Sequence, residues 1–137
     1  MTSSPQNTQI NTDMKEYNDI SYKIIGSAFK VHKELGPGLL ESTYEACFNY
    51  ELNNAGLFVE RQKELPLIYH AVKLETGYRI DLLVEGKIII EIKSVDAIDP
   101  VHKAQVLTYM KLSVIKLGLL INFNVVDLKE GIQRFIL

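Results

Sequence analysis

The stretch "YRIDLLVEGKIIIEIKS", residues 78–94, decides the fold. Two apolar, β-branched runs flank Glu85-Gly86, so it reads as two strands around a tight turn. Polar side chains nevertheless interrupt both runs: Asp81 in the first, Glu91 and Lys93 in the second. Successive side chains of a strand alternate between faces, so Glu91 and Lys93 share one face while Ile88, Ile90 and Ile92 form the other. On the preceding strand, Tyr78, Ile80, Leu82 and Val84 line one face, and Arg79, Asp81 and Leu83 line the other.

The turn decides whether the acids meet. A two-residue loop, Glu85-Gly86, pairs Val84 with Lys87 and sends Asp81 and Glu91 to opposite sides. A three-residue loop, Val84-Glu85-Gly86, pairs Leu83 with Lys87 and puts Gly86 in the left-handed conformation such loops favour. Asp81 then faces Ile89, with Glu91 its diagonal neighbour at roughly 7–8 Å between Cα atoms. That register also gathers Ile80 and Leu82 with Ile88, Ile90 and Ile92 on one apolar face. It is the expected one, because a one-residue slip would expose that whole set. Asp81, Glu91 and Lys93 then share the opposite face. Converging carboxylates repel unless a cation lies between them, and oxygen ligation of this kind suits Mg²⁺ or Mn²⁺ rather than zinc. Taken alone, acid-x-Lys in a strand is more often a solvated face or an ion pair than a catalytic site. The Asp on the neighbouring strand and the helix that follows shift the reading toward chemistry.

Working outward, residues 1–15 are rich in Ser, Thr, Asn and Gln and are expected to form a flexible tail ahead of one domain, 16–137. Ile20, Ile24, Ala28, Val31 and Leu35 recur at the spacing of one helix face, predicting a helix over 18–35. Gly36-Pro37-Gly38 turns the chain. A second helix is predicted over 41–55, with Leu40, Tyr44, Cys47, Phe48 and Leu52 inward and Gly56 as its terminator. One strand is expected over 57–70, with Pro66 at an edge or bulge. After 78–84 and 87–94, Asp99-Pro100 announces a helix to about Ser113. Residues 117–123 form a short, nearly all-apolar strand of the kind buried on both faces, and 131–137 can add another. The order α-α-β-β-β-α-β-β predicts a single α/β domain with a central mixed sheet.

Composition sets the outer limits. With 137 residues, the chain has room for one domain and one sizeable core. A formal net charge of −2 argues against a surface that grips nucleic acid everywhere, though not against a local basic groove. The lone Cys47 excludes an intramolecular disulfide and a cysteine-based zinc site. Neither a secretory leader nor a membrane-spanning run is visible, so a cytoplasmic protein is expected.

An Asp on one strand, Glu-x-Lys on the next, then a helix and a strand resembles the PD-(D/E)XK nuclease superfamily. Here these are Asp81 and Glu91-Ile92-Lys93. "AQVLTY" on the following helix places Gln105 and Tyr109 four apart on one stripe, similar to the Gln-x-x-x-Tyr element of RecB-like exonuclease domains. "GLLESTY", residues 38–44, resembles the signature of the GxxExxY family in the same superfamily. Ile80 stands where the superfamily name has proline.

The resemblance implies a restriction-endonuclease-like core and Mg²⁺- or Mn²⁺-dependent hydrolysis of phosphodiester bonds in DNA or RNA. It implies Asp81 and Glu91 as metal ligands with the Ile92 carbonyl, Lys93 positioning water or stabilising charge, and Gln105 and Tyr109 orienting the site. A helical acid sometimes completes such sites, which brings in Glu41; its plain role is at the helix N-terminus. RecB-like relatives use an upstream histidine as a ligand, which brings in His32; its plain role is a partly buried structural histidine. A homodimer or larger complex fits the superfamily. The competing reading is a catalytically inactive module of the same fold that binds nucleic acid or a protein partner.

Overall fold

The computed structural model describes residues 5–75 and 77–137, with side chains from Met14 onward. Helix α1 runs Pro5–Leu35 and α2 runs Glu41–Asn54. Strand β1, Val59–Glu64, precedes the hairpin β2, Leu67–Tyr69, and β3, Val72–Leu74. Then come β4, Arg79–Val84, and β5, Ile88–Lys93. Helix α3, Pro100–Ser113, leads to β6, Leu117–Asn122, and β7, Ile132–Ile136. Among the described residues, five strands form one mixed sheet in the order β1-β4-β5-β6-β7, parallel only between β5 and β6. This is the expected single α/β domain, a mixed sheet flanked by helices. Among the described residues, no helix is long and apolar enough to cross a membrane.

Three expected elements differ. The first helix begins well before residue 18 and takes in most of the segment expected to be a tail; residues 1–4 lie outside the described residues. The strand expected over 57–70 is split, because Pro66 cannot donate to a ladder: β1 ends at Glu64, and the chain makes a separate two-stranded sheet before returning as β4. Leu40, expected inside, is 72% exposed at the α2 N-cap, whereas Tyr44, Phe48 and Leu52 are fully buried.

Both faces of the sheet are covered. Ile20, Ile24, Ala28 and Val31 of α1, with Tyr44, Phe48 and Leu52 of α2, pack on Leu82, Val84, Ile88, Ile90 and Ile92. Val106, Tyr109 and Met110 of α3 pack on Leu83, Ile89 and Leu120 from the other side. Gly118 permits the close seat of α3: a Cβ there would come 2.7 Å from Met110 Sδ and 2.9 Å from Val106 Cγ1. That seat brings Gln105 and Tyr109 down toward β5.

The β4–β5 register differs from the expected one by two residues. Val84 pairs with Ile88 and Leu82 with Ile90, so Asp81 comes level with Glu91 instead of diagonal to it. Glu85 and Gly86 both take left-handed φ, +55° and +63°. Glu85 is tied to Phe58 twice: its N–H donates to the Phe58 carbonyl at 2.8 Å, and its Oε2 accepts from the Phe58 N–H at 2.6 Å. The turn therefore starts at Glu85, and Val84, fully buried, stays in the core instead of being spent in the loop.

Candidate active site at the end of strands β4 and β5

Asp81 sits where the alternation of β4 breaks. Leu82 packs with α1 and α2, yet Ile80 and Leu83 both pack on the α3 side. Ile80 therefore leaves the apolar face it was expected to share with Leu82. Opposite the break, on β1, Gln62 has a left-handed φ of +48° between the regular pairs Arg61–Leu82 and Lys63–Ile80. The Asp81 side chain fills the opening. Its Oδ2 accepts the Ile92 N–H at 2.8 Å, a donor that an unbroken ladder would give to a backbone carbonyl.

Glu91 lies beside it, only 3% exposed. Its Oε1 has no hydrogen-bond partner. Burial, and then the neighbouring Asp81 carboxylate within hydrogen-bonding reach, push the Glu91 carboxyl up to about 10, while Lys93 pulls the other way. A carboxyl raised that far keeps its proton at neutral pH. Lys93, half-buried on the same strand, faces the same side as Glu91 and is near enough to act on its charge.

On the α3 side, Gln105 Nε2 donates to the Tyr109 hydroxyl at 3.2 Å. Tyr109 is nearly buried, and burial followed by the Glu91 charge raises its hydroxyl pKa. Gln105 is thus tied to a hydroxyl that lies within the field of both acids.

On the α2 side, Asp81 and Ile92 line a cavity of about 350 Å³ together with Glu41, Ser42, Glu45 and Gln62. Glu41 Oε1 accepts the Ser94 N–H at 3.2 Å, just past the end of β5. Ser94 Oγ donates to the Leu39 carbonyl at 2.5 Å. The Tyr44 hydroxyl donates to the Gly36 carbonyl at 2.6 Å and accepts the Leu39 N–H at 3.2 Å, while its ring stacks on Phe123 at 4.6 Å. Gly38 turns at a φ of +96°, which an L side chain rarely adopts. Gly38, Glu41 and Tyr44 thereby fasten the α1–α2 connection over the end of β5.

His32 is placed elsewhere. Its Nε2 is 2.7 Å from the Val125 carbonyl, its ring lies 6.5 Å from Phe123, and it lines a second cavity with Lys30, Lys33 and Asp127. Among the described residues His32 forms no metal-holding group with the carboxylates, which corrects the expectation that it joins them. His102 is structural. Its Nδ1 accepts the Asp99 N–H at 3.0 Å and closes the start of α3.

Glu45 and Gln62, which line the cavity with Asp81 and Ile92, escaped the sequence reading. Glu45 lies one helical turn after Glu41, so a Glu-x-x-x-Glu stripe could have marked it. Its Oε2 accepts from Arg61 Nη2 at 3.2 Å and its Oε1 from Gln62 Nε2 at 2.5 Å. Gln62 carries no sequence signal, since only the pairing of β1 with β4 brings it to Asp81.

A carboxylate oxygen left without a donor, next to a second carboxylate, suits a divalent cation that prefers oxygen. Among the described residues, no group of three or more His, Cys, Asp or Glu side chains is arranged to hold a metal ion. An ion here would therefore have two acid ligands and fill its shell from backbone carbonyl and water, as Mg²⁺ habitually does.

No curated protein and no solved structure matches the chain. Residues 18–135, from α1 to the last strand, match the PD-(D/E)XK nuclease superfamily, with Asp81 and Glu91-Ile92-Lys93 inside the matched span. The chain belongs to the PD-(D/E)XK nuclease superfamily.

Proposed function

We propose that the protein hydrolyses phosphodiester bonds in nucleic acid, with Asp81 and Glu91 holding Mg²⁺ or Mn²⁺ and Lys93 beside them. The observation that carries this reading is the partnerless Glu91 oxygen, buried against Asp81 and within the field of Lys93. As structure alone, the arrangement is costly: burying a carboxyl oxygen without a donor is unfavourable. As a cation seat it has a purpose.

A divalent ion bound here supplies Lewis-acid polarisation of a phosphoryl oxygen and a lower pKa for an attacking water. The protein's own groups do the rest. The Ile92 N–H fixes the Asp81 carboxylate in orientation. Glu91 gives up its proton when it takes a cation, so binding strengthens as pH rises. The Lys93 ammonium, a compact cation, stabilises negative charge developing on the phosphoryl group. Tyr109, held by Gln105, borders Glu91 and limits its freedom. The Ile92 carbonyl is a further oxygen on the same strand.

The same reading puts the chain with the GxxExxY family and the RecB-like branch. It rests on Gly38, Glu41 and Tyr44 closing one side of the site, and on Gln105 and Tyr109 closing the other. The test is cleavage of labelled single- and double-stranded DNA and RNA with Mg²⁺, with Mn²⁺ and with chelator, by wild type and Asp81→Ala. Metal-dependent cleavage by wild type alone supports the reading. Retention of bound nucleic acid without cleavage in every condition supports the inactive binding module instead.

A further inference from the structure

Gln62 stands in a conformation that β1 does not require. Its φ of +48° is one that L side chains rarely adopt, and its neighbours Arg61 and Lys63 pair normally with β4. A non-glycine residue held this way within a strand points to a role that overrides local preference. The side chain shows what that role is. One amide nitrogen, Nε2, donates to Glu45 Oε1 at 2.5 Å and to Asp81 Oδ1 at 3.3 Å. Glu45, only 8% exposed, is held in turn by the Arg61 guanidinium through Nη2 at 3.2 Å and Nε at 3.4 Å.

We infer that Gln62 is a positioning residue for Asp81, the last link before it in a chain running Arg61, Glu45, Gln62, Asp81. This rests on the nuclease reading for its purpose, but not for its geometry. Asp81 has two oxygens and two donors on different elements: Ile92 N–H from β5 on Oδ2, and the Gln62 amide from β1 on Oδ1. Either donor alone would leave the carboxylate free to rotate about its bond to Cβ. Together they fix its plane. Both Arg61 donors fall on Glu45 Oε2, so Gln62 also satisfies Glu45 Oε1; that structural role accounts for the first bond and leaves the second, to Asp81, to be explained. The left-handed backbone is what lets one amide nitrogen reach both acids.

The test uses Gln62→Gly, which relieves the left-handed backbone while deleting the amide, and Gln62→Met, which keeps the length but not the donors. The Ile92 amide reports the orientation of Asp81 with no metal present. In both variants its NMR resonance should move and its hydrogen exchange should quicken. Mn²⁺ affinity by calorimetry should fall about tenfold, the usual cost of losing a group that orients a ligand. Cleavage should lose kcat, with KM within about twofold of wild type, because Gln62 acts through Asp81 and not on substrate. An Ile92 amide unchanged in folded Gln62→Gly, or in Gln62→Met should the glycine variant fail to fold, overturns the inference. Failure of the wild type to bind Mn²⁺ would instead refute the nuclease reading, and the Ile92 amide would still decide the role of Gln62.

Discussion

Glu45 and Glu91 are both buried acids, 8% and 3% exposed, on opposite sides of Asp81. Their surroundings could hardly differ more. Glu45 receives N–H groups from Arg61 and Gln62 on both oxygens. Glu91 has an oxygen with no donor and a carboxyl pushed up to about 10 by burial and by Asp81. A buried carboxylate surrounded by donors has its charge balanced and can serve as a support. One left short of donors keeps its proton until a cation replaces it. On the proposed function, the contrast makes Glu45 a support of the site and Glu91 its cation ligand.

The sharpest break in that contrast would come at the residue the two acids share. Asp81→Ala should lower Mn²⁺ affinity and cleavage by more than about 100-fold, beyond the cost of losing a merely supporting group. Calorimetry and a gel-based cleavage assay read the two effects separately. Lys93→Met should come next, losing about 100-fold in kcat while Mn²⁺ affinity holds; a parallel loss of affinity would show that Lys93 acts on the cation seat instead.

Stability separates the two acids by sign. An unfolded glutamate releases its proton near 4.5, whereas Glu91 in the folded chain keeps it to about 10. Between those values the folded state binds the extra proton, so stability is full below the lower value and falls as pH rises toward the upper one. Glu91→Gln removes that slope. In chelator it should become more stable than wild type as pH is raised from 5 to 9, by on the order of 1 kcal/mol per pH unit, read from urea midpoints. Glu45→Gln should do the reverse, costing about 1 kcal/mol, because Arg61 loses its counter-charge. Equal responses of the two variants would erase the distinction.

What the sequence revealed follows the same divide. Asp81, Glu91, Lys93, Gln105 and Tyr109 fall within one run of chain. There, strand alternation and a four-residue helical spacing carry the geometry, and the site's α3 side was legible. The α2 side depends on β1 pairing with β4 across a hairpin that no pattern announced, so Glu45 and Gln62 were invisible. The turn was misplaced by one residue, and the register by two, because Glu85 adopts a left-handed φ that glycine alone was expected to take. Its double tie to Phe58 is a tertiary contact. The faces of β5 and of Leu82 to Val84 survived that error, since a two-residue shift preserves alternation, but Ile80 lies past the break at Asp81 and packs on the α3 side. His32 flanks an apolar helix stripe, where a structural histidine is the commoner case, and only family resemblance suggested a ligand; the Val125 carbonyl beside it is 93 positions away in the chain.

The most direct measurement is a calorimetric Mn²⁺ titration of wild type, Glu91→Gln and Glu45→Gln at pH 7.5, in two buffers of different ionisation enthalpy. Wild type should bind with release of a proton, Glu91→Gln should lose more than about 100-fold in affinity and the proton release with it, and Glu45→Gln should stay within about tenfold. Binding by Glu91→Gln as tight as wild type would contradict the account.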